Sequence, residues 1–119
     1  MADELSIAVE LNYSKSGVTE EITHTDNVTV TGSEILRCIQ SVGTSEEALE
    51  LGQDIGTPGY VFLKNLDDTN FVSIRRGTGE SNMIKLLPGE CALFRMAATA
   101  PFAIADTAAC RLLIVMFET

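Results

Sequence analysis

The sequence predicts an all-β fold, an antiparallel β-sandwich of about eight or nine short strands. Three observations support this fold class. Short apolar runs recur from Gly59 to Glu118 and are separated by Gly, Pro, Asn and Asp. Apolar residues near the N-terminus alternate with polar ones, and the last long run is apolar at every position. Runs of this length between turn residues are typical of strands and hairpins rather than helices.

The first part of the chain predicts three strands and two turns. Ile7, Val9 and Leu11 alternate within residues 4–13, and residues 14–17 are typical of a turn. The Thr-rich run 18–25 predicts an exposed or edge strand. Asp26 and Asn27 then predict a second turn, followed by a separate strand over residues 28–31.

Residues 33–51 fit two templates. Ile35, Leu36, Ile39 and Val42 match a helical spacing with Ser33 as N-cap, and residues 44–47 resemble a capping box. Glycines lie close to the ends of these short segments, and the flanking sequence has the pattern of β-strands. We therefore favour strands over helices here.

The second half of the chain predicts strands joined by tight turns. Turn residues occupy 65–70, Gly77–Gly79 and Pro88–Gly89. The predicted strands are 60–64, 71–75, 83–87, 91–95 and 112–117.

The last predicted strand is apolar on both alternating faces. Leu112, Ile114 and Met116 form one face, and Leu113, Val115 and Phe117 form the other. A strand with one solvated face would alternate in polarity, so both faces should be covered. We favour contact of the second face with another subunit; cover by a loop or by residues 97–102 is the alternative.

Length and composition indicate a single domain, 1–119, that folds without disulfides or metal. No secretory signal begins the chain, and the longest apolar run is far below the roughly 20 residues of a membrane span. We expect a soluble protein made in a cytoplasm, with no membrane association. Its three cysteines, Cys38, Cys91 and Cys110, are expected to be reduced and to pack as small hydrophobic residues.

The net charge of −9 belongs entirely to the first half. Residues 1–54 contain eleven acidic side chains and only Lys15 and Arg37, whereas residues 55–119 are neutral. An acidic surface repels phosphate backbones, so we expect no nucleic-acid partner. A solvated face or a basic partner would each account for the excess.

Residue chemistry predicts no catalytic, cofactor or metal site. The single histidine, His24, lies in a polar run, and neither a nucleophile elbow nor a metal-ligand spacing is present. Arg75 and Arg76 are the only adjacent basic pair and are candidates for an acidic partner, although we favour a solvated strand end that also blunts edge pairing. Large apolar side chains are the other candidate interface residues: Leu113, Val115, Phe117 and Phe102.

Segments of the chain resemble two known classes of protein. Residues 87–94 resemble a turn and strand of cupin-type jelly rolls, which implies a jelly-roll-like sandwich; the metal-binding histidines of cupin enzymes are missing. More of the chain, roughly 40–119, is similar to small β-rich virion structural proteins of tailed bacteriophages. The segments that carry this second resemblance are 42–52, 57–67, 69–72, 84–90, 92–95 and 100–103.

The phage resemblance implies a non-enzymatic protein of the virion. It implies a capsid decoration or cement protein that self-associates, for example as a trimer, and binds neighbouring capsid subunits. Phe71, Phe94, Phe102 and Phe117 are candidate contact aromatics or core residues. A tail or fibre module and a cupin-like small-molecule-binding domain are the alternatives.

Overall fold

The structure is a computed structural model that describes residues 4–32, 35–50, 58–97 and 100–118. Two compact units divide the chain, one formed by residues up to Thr31 and the other by Gly32–Glu118. The prediction of one domain stays a prediction beside this division. In the described part of the chain, no helix has the length and apolar character that crossing a membrane requires.

The first unit is a long β-hairpin. Strand β1, Leu5–Lys15, pairs antiparallel with β2, Val18–Val28, over its full length. Ser16 and Gly17 form the two-residue connection with φ values of 53° and 81°. Two successive positive φ values are the requirement of a type I′ hairpin turn, whose twist matches that of the strands.

The predicted turn at residues 14–17 therefore lies within one residue of the observed one, but the predicted break at Asp26–Asn27 is wrong. Asp26 pairs with Ile7 and Asn27 with Ser6 inside the same ladder, and β2 ends at Val28. The antiparallel pairing of β1 and β2 continues through both residues, which outweighs their local preference for a turn. Residues 29–31 form no strand.

The described residues of the second unit form eight strands in two antiparallel sheets. The first sheet has the order β3-β10-β5-β8, and the second has the order β4-β9-β6-β7. The strands are β3 (Ile35–Val42), β4 (Glu47–Ala48), β5 (Tyr60–Asn65), β6 (Val72–Arg75), β7 (Asn82–Leu86), β8 (Cys91–Arg95), β9 (Phe102–Ala105) and β10 (Cys110–Phe117).

The pairing order makes this unit a jelly roll. Strands pair from the outside of the sequence inward, β3 with β10, β4 with β9, β5 with β8 and β6 with β7. The pairs β10–β5 and β9–β6 then join these four ladders into two sheets. Eight strands folded in this way into a double sheet define the jelly-roll sandwich, which confirms the predicted fold class.

The core lies between the two sheets. Alternate residues of each strand point inward, so β10 contributes every second side chain and β6 contributes Val72 and Ile74. Segment 35–48 forms strands β3 and β4, as favoured from the sequence. The fully buried apolar side chains include Val42, Val61, Leu63, Val72, Ile74, Cys110, Leu112, Ile114 and Met116.

A buried asparagine secures one end of the sandwich. Asn65 is fully buried at the end of β5, and its side-chain amide donates to the carbonyl oxygens of Asn70 and Leu86 at 2.9 and 3.0 Å. Its Oδ1 accepts from the backbone N–H of Asp67 at 2.9 Å. Because a buried amide is stable only when its polar atoms are paired, these bonds hold the β5–β6 loop against the end of β7.

Candidate functional site

The outer face of the first sheet is the candidate functional site. On β10, Leu112, Ile114 and Met116 are fully buried in the core, whereas Leu113, Val115 and Phe117 point outward and are half-buried. Three large apolar side chains therefore lie in a row on the side of a central strand that the second sheet does not cover. As the sequence predicted, alternate residues of β10 form two apolar faces, and one of these faces lies in the core.

Neighbouring strands extend this row into an apolar surface. Leu113 lies opposite Ile39, Val115 lies opposite Phe62, and Phe117 lies opposite Ile35. Ile35 and Ile39 are 60% and 51% exposed. Such a density of large exposed apolar side chains is unusual for a surface that only meets water.

Basic side chains flank the apolar residues on the same face. The four strands of the first sheet contain no Asp or Glu. Their outward positions carry half of the eight Lys and Arg residues of the chain, namely Arg37, Lys64, Arg95 and Arg111. Arg95 stacks over the Tyr60 ring at 4.7 Å from its centroid. The surface, called the β10 face below, is thus apolar and positively charged in a chain of net charge −9.

The structure separates the predicted interface residues into two groups. Leu113, Val115 and Phe117 lie on the β10 face, whereas Phe102 points outward from β9 and lies opposite Arg75 in the second sheet. Arg76 follows β6 and is exposed. The six residues therefore do not form one surface, because the two sheets present their outer faces in opposite directions.

Both predicted arginines are paired within the chain. Arg75 Nη1 lies 2.6 Å from Glu46 Oε1, and its Nε donates to Asn82 Oδ1 at 2.6 Å. Arg76 forms a 2.5 Å ion pair with Glu80, whose hydrogen bond raises the pKa of the guanidinium. An acidic partner would have to displace these contacts.

Glu46 holds the β6–β7 loop. Its carboxylate accepts hydrogen bonds from Thr78 Oγ1 and from the backbone N–H of Gly79, in addition to the Arg75 contact. The Thr78 hydroxyl first, then the Gly79 amide, lowers the pKa of Glu46 below its ordinary value. The Gly77–Gly79 segment is thus a hairpin loop fastened by a carboxylate, with no phosphate-loop geometry.

A small cleft lies beside this loop. It has a volume of about 240 Å³ and is lined by Met83, Phe94 and Met96 together with Arg76 and Arg95. Phe94 also packs against the core, and Phe71 lies under Lys85, whose ammonium is 4.2 Å from the ring centroid. Phe94 is therefore a residue of the core, and Phe71 lies against an exposed lysine of the second sheet, so neither aromatic is on the β10 face.

The described ionisable residues outside these contacts do not come together in one place to hold a metal ion. Among the residues that the structure describes, no cluster of His, Cys, Asp and Glu is arranged to hold a metal ion. His24 is exposed on β2, in the first unit. The expected burial of the cysteines is correct for Cys110, which is fully buried, and wrong for Cys91, which is exposed because its position in β8 points to the β10 face.

Comparison with known proteins finds no matching family model, no matching curated protein and no matching solved structure.

The sequence predicted that Leu113, Val115 and Phe117 share one face, but it did not predict the other residues of the β10 face. In β3, Ile35, Arg37 and Ile39 alternate with half-buried residues, but the same letters also fit a helix. Phe62 and Leu93 belong to short runs in which nothing local marks one face as outward. Only the strand order, which places β3, β5 and β8 around β10, assembles these residues into one surface.

Proposed function

We propose that this chain is a non-enzymatic structural protein of a phage virion, a capsid decoration or cement protein that self-associates and binds neighbouring capsid subunits. Two lines of support are independent of each other. The sequence resembles small β-rich virion proteins over roughly residues 40–119. The jelly-roll unit presents an apolar, basic surface on the outer face of its first sheet.

The observation that carries the proposal is the β10 face. Four strands spaced about 4.8 Å apart and up to about 26 Å long offer on the order of 400 Å² of outer surface. Contact through such a face buries roughly 800 Å² over both partners, a substantial part of a specific interface of about 1,600 Å². Self-association through this face would leave the loops and the second sheet for capsid contacts.

A cupin-like binding domain receives less support. Ligands of jelly-roll domains that bind small molecules need space inside the sandwich, and here apolar side chains fill that space. Val61, Leu63, Leu112 and Ile114 are each 0% exposed. The cleft beside the β6–β7 loop lies outside this core.

The direct test is the protein composition of phage particles. Particles are purified from cells producing the phage that encodes the chain, and a labelled antibody locates it by electron microscopy. A decoration protein is present in stoichiometric amounts on the capsid shell. Absence from particles would refute the proposal, and labelling of the tail would assign the protein to the alternative tail or fibre class.

A binding assay tests the role of self-association. Purified chain is cosedimented with capsids assembled without it, using Val115→Glu and the matched loop control Ala108→Glu, because Ala108 is exposed and away from the β10 face. If capsid sites are bound by an oligomer, Val115→Glu weakens binding through lost multivalency, whereas Ala108→Glu does not. Equal binding of all three proteins would contradict this role.

A further inference from the structure

The N-terminal hairpin is amphipathic, with all its large apolar side chains on one face. The register places odd-numbered residues of β1 on the same face as even-numbered residues of β2. Ile7 is buried on this face, whereas five other large apolar side chains of the face are between 47% and 61% exposed. The exposed members are Val9, Leu11, Tyr13, Val18 and Ile22.

The opposite face of the hairpin is polar throughout. It carries Ser6, Glu10, Asn12 and Ser14 of β1, with Ala8 as its only apolar member on that strand, and threonine, glutamate and asparagine side chains of β2. A two-stranded ribbon has no second layer, and five large apolar side chains of this face stay exposed among the described residues. Isolated hairpins are marginally stable in water and gain stability when a hydrophobic face is packed.

The charges of the hairpin and the β10 face are opposite. Residues 4–31 contain five carboxylates and one lysine. Two of the carboxylates, Glu20 and Asp26, lie on the apolar face of the hairpin together with the single lysine, Lys15, so that this face has a net charge of −1. The β10 face carries four basic residues and no acidic one.

Together these two surfaces hold most of the large exposed apolar residues among those described. Eleven such residues are found; five lie on the hairpin stripe and three, Ile35, Ile39 and Leu93, lie on the β10 face. If each surface packed on the same surface of another copy, carboxylates would face carboxylates or basic residues would face basic residues. Packing one surface on the other covers apolar area and pairs opposite charges.

We propose that the hairpin of one copy packs its apolar face on the β10 face of a second copy. The occupant of the β10 face is thus residues 5–28 of a neighbouring chain. This inference rests on the self-association in the proposed function and names the segments that produce it.

The available area is sufficient for a specific dimer. Strands of 11 residues are about 36 Å long, and two of them are roughly 10 Å wide, which gives roughly 350 Å² on one face of the hairpin. A reciprocal exchange contains two such contacts and buries on the order of 1,000–1,400 Å² in total, because the sheet is shorter than the hairpin. Specific interfaces begin at about 1,000 Å². A non-reciprocal exchange would close into a ring, such as a trimer.

The experiment measures the mass of the full chain in solution by sedimentation equilibrium. Leu11→Glu/Ile22→Glu places two charges on a cross-strand pair of the apolar face, and Ala8→Glu/Thr25→Glu places the same charges on a cross-strand pair of the polar face as a control. Ile39→Glu changes the β10 face, with Ala108→Glu as its control. We expect the two interface variants to associate at least about a hundredfold more weakly than wild type and the controls to match it.

Mixing the two interface variants separates exchange between copies from other arrangements. The Ile39→Glu chain has an intact hairpin, and the Leu11→Glu/Ile22→Glu chain has an intact β10 face, so the mixture retains one of the two contacts of the reciprocal dimer. It should form a one-to-one complex that is weaker than the wild-type dimer, at protein concentrations where each variant alone is monomeric. Formation of that complex also shows that both variants are folded.

Four results would overturn the proposal. The first is a monomeric wild type, and the second is interface variants that associate as wild type does. The third is loss of association only in the hairpin variant, which would mean that hairpins pair with each other. The fourth is failure of the mixture to form a complex, which would mean that the hairpin does not dock on another copy.

The protein composition of purified phage particles tests the proposed function separately. A chain that exchanges hairpins but is absent from particles refutes the virion role alone, and a chain found on particles whose hairpin variant still associates refutes the exchange alone.

Discussion

Adjacent residues of β10 should respond very differently to the same substitution. Ile114 is fully buried between Cys38 and Leu63 of the neighbouring strands, whereas Val115 is half-buried on the outer face between Arg37 and Phe62. Truncation of each to alanine therefore measures which face is core. We expect Ile114→Ala to reduce the free energy of unfolding several times more than Val115→Ala.

The magnitudes follow from burial. Ile114→Ala removes three buried carbon groups at roughly 0.8 kcal/mol each, about 2.4 kcal/mol of transfer free energy. If about half of a hole of roughly 80 Å³ persists, about 24 cal/mol per Å³ adds about 1 kcal/mol, for a total of about 3–4 kcal/mol. Val115→Ala removes two carbon groups that are already half in water, which costs about 0.8 kcal/mol and leaves no closed cavity.

Urea unfolding followed by circular dichroism measures both variants. All proteins are compared at a concentration low enough for the wild type to be monomeric, because self-association through the β10 face would bury Val115 and make apparent stability concentration-dependent. Ile114→Val, expected to cost about 0.5–1.5 kcal/mol, provides a folded reference if the alanine variant is too unstable. Costs for Ile114→Ala and Val115→Ala that agree within about 1 kcal/mol would refute the assignment of the two faces.

Three further predictions concern single contacts. Asn65→Leu removes the partners of three backbone groups, one in a buried and two in partly buried hydrogen bonds, and should cost about 2–4 kcal/mol in urea unfolding; a cost below about 1 kcal/mol would show that water replaces the amide. Because hydrogen bonds from Thr78 and Gly79 lower the folded-state pKa of Glu46, its contribution to stability is present above the ordinary glutamate pKa and is lost as pH falls through the lowered value. The stability difference between wild type and Glu46→Gln should therefore be constant near neutral pH and shrink below about pH 4; a difference that grows in acid would contradict the sign. Cys91 is exposed, whereas burial raises the pKa of the Cys110 thiol, so a thiol reagent should modify Cys91 in the native protein and Cys110 only upon unfolding. Equal rates at these two cysteines would contradict the burial of Cys110.

Local sequence patterns predicted the fold class because each strand carries its own signal. Runs such as residues 60–64 and 112–117 have the length and β-branched or aromatic content of strands, and Pro88–Gly89 marks a turn that the structure contains, with the Glu90 N–H donating to the Leu87 carbonyl at 2.9 Å. The boundary errors at Asp26–Asn27 arose where long-range pairing outweighs local preference. The short strand β4 likewise exists only through its pairing with β9.

The candidate site depends on information that no local pattern contains. The sequence revealed that Leu113, Val115 and Phe117 share a face, since alternation is a local property of a strand. It did not reveal that Ile35 and Leu93, far apart in the chain, join that face, because this depends on the order of strands in the sheet. Arg75 and Arg76 drew attention as an adjacent basic pair, and their carboxylate partners became visible only once loops from distant parts of the sequence met.

The mass of the native chain in solution tests the central claim most directly, that the β10 face is a self-association surface. Sedimentation equilibrium is performed on wild type, Val115→Glu and Ala108→Glu, with circular dichroism to confirm that all three remain folded. The account predicts an oligomer for wild type and Ala108→Glu and a folded monomer for Val115→Glu. A monomeric wild type, or a Val115→Glu protein with the mass of the wild-type oligomer, would contradict it.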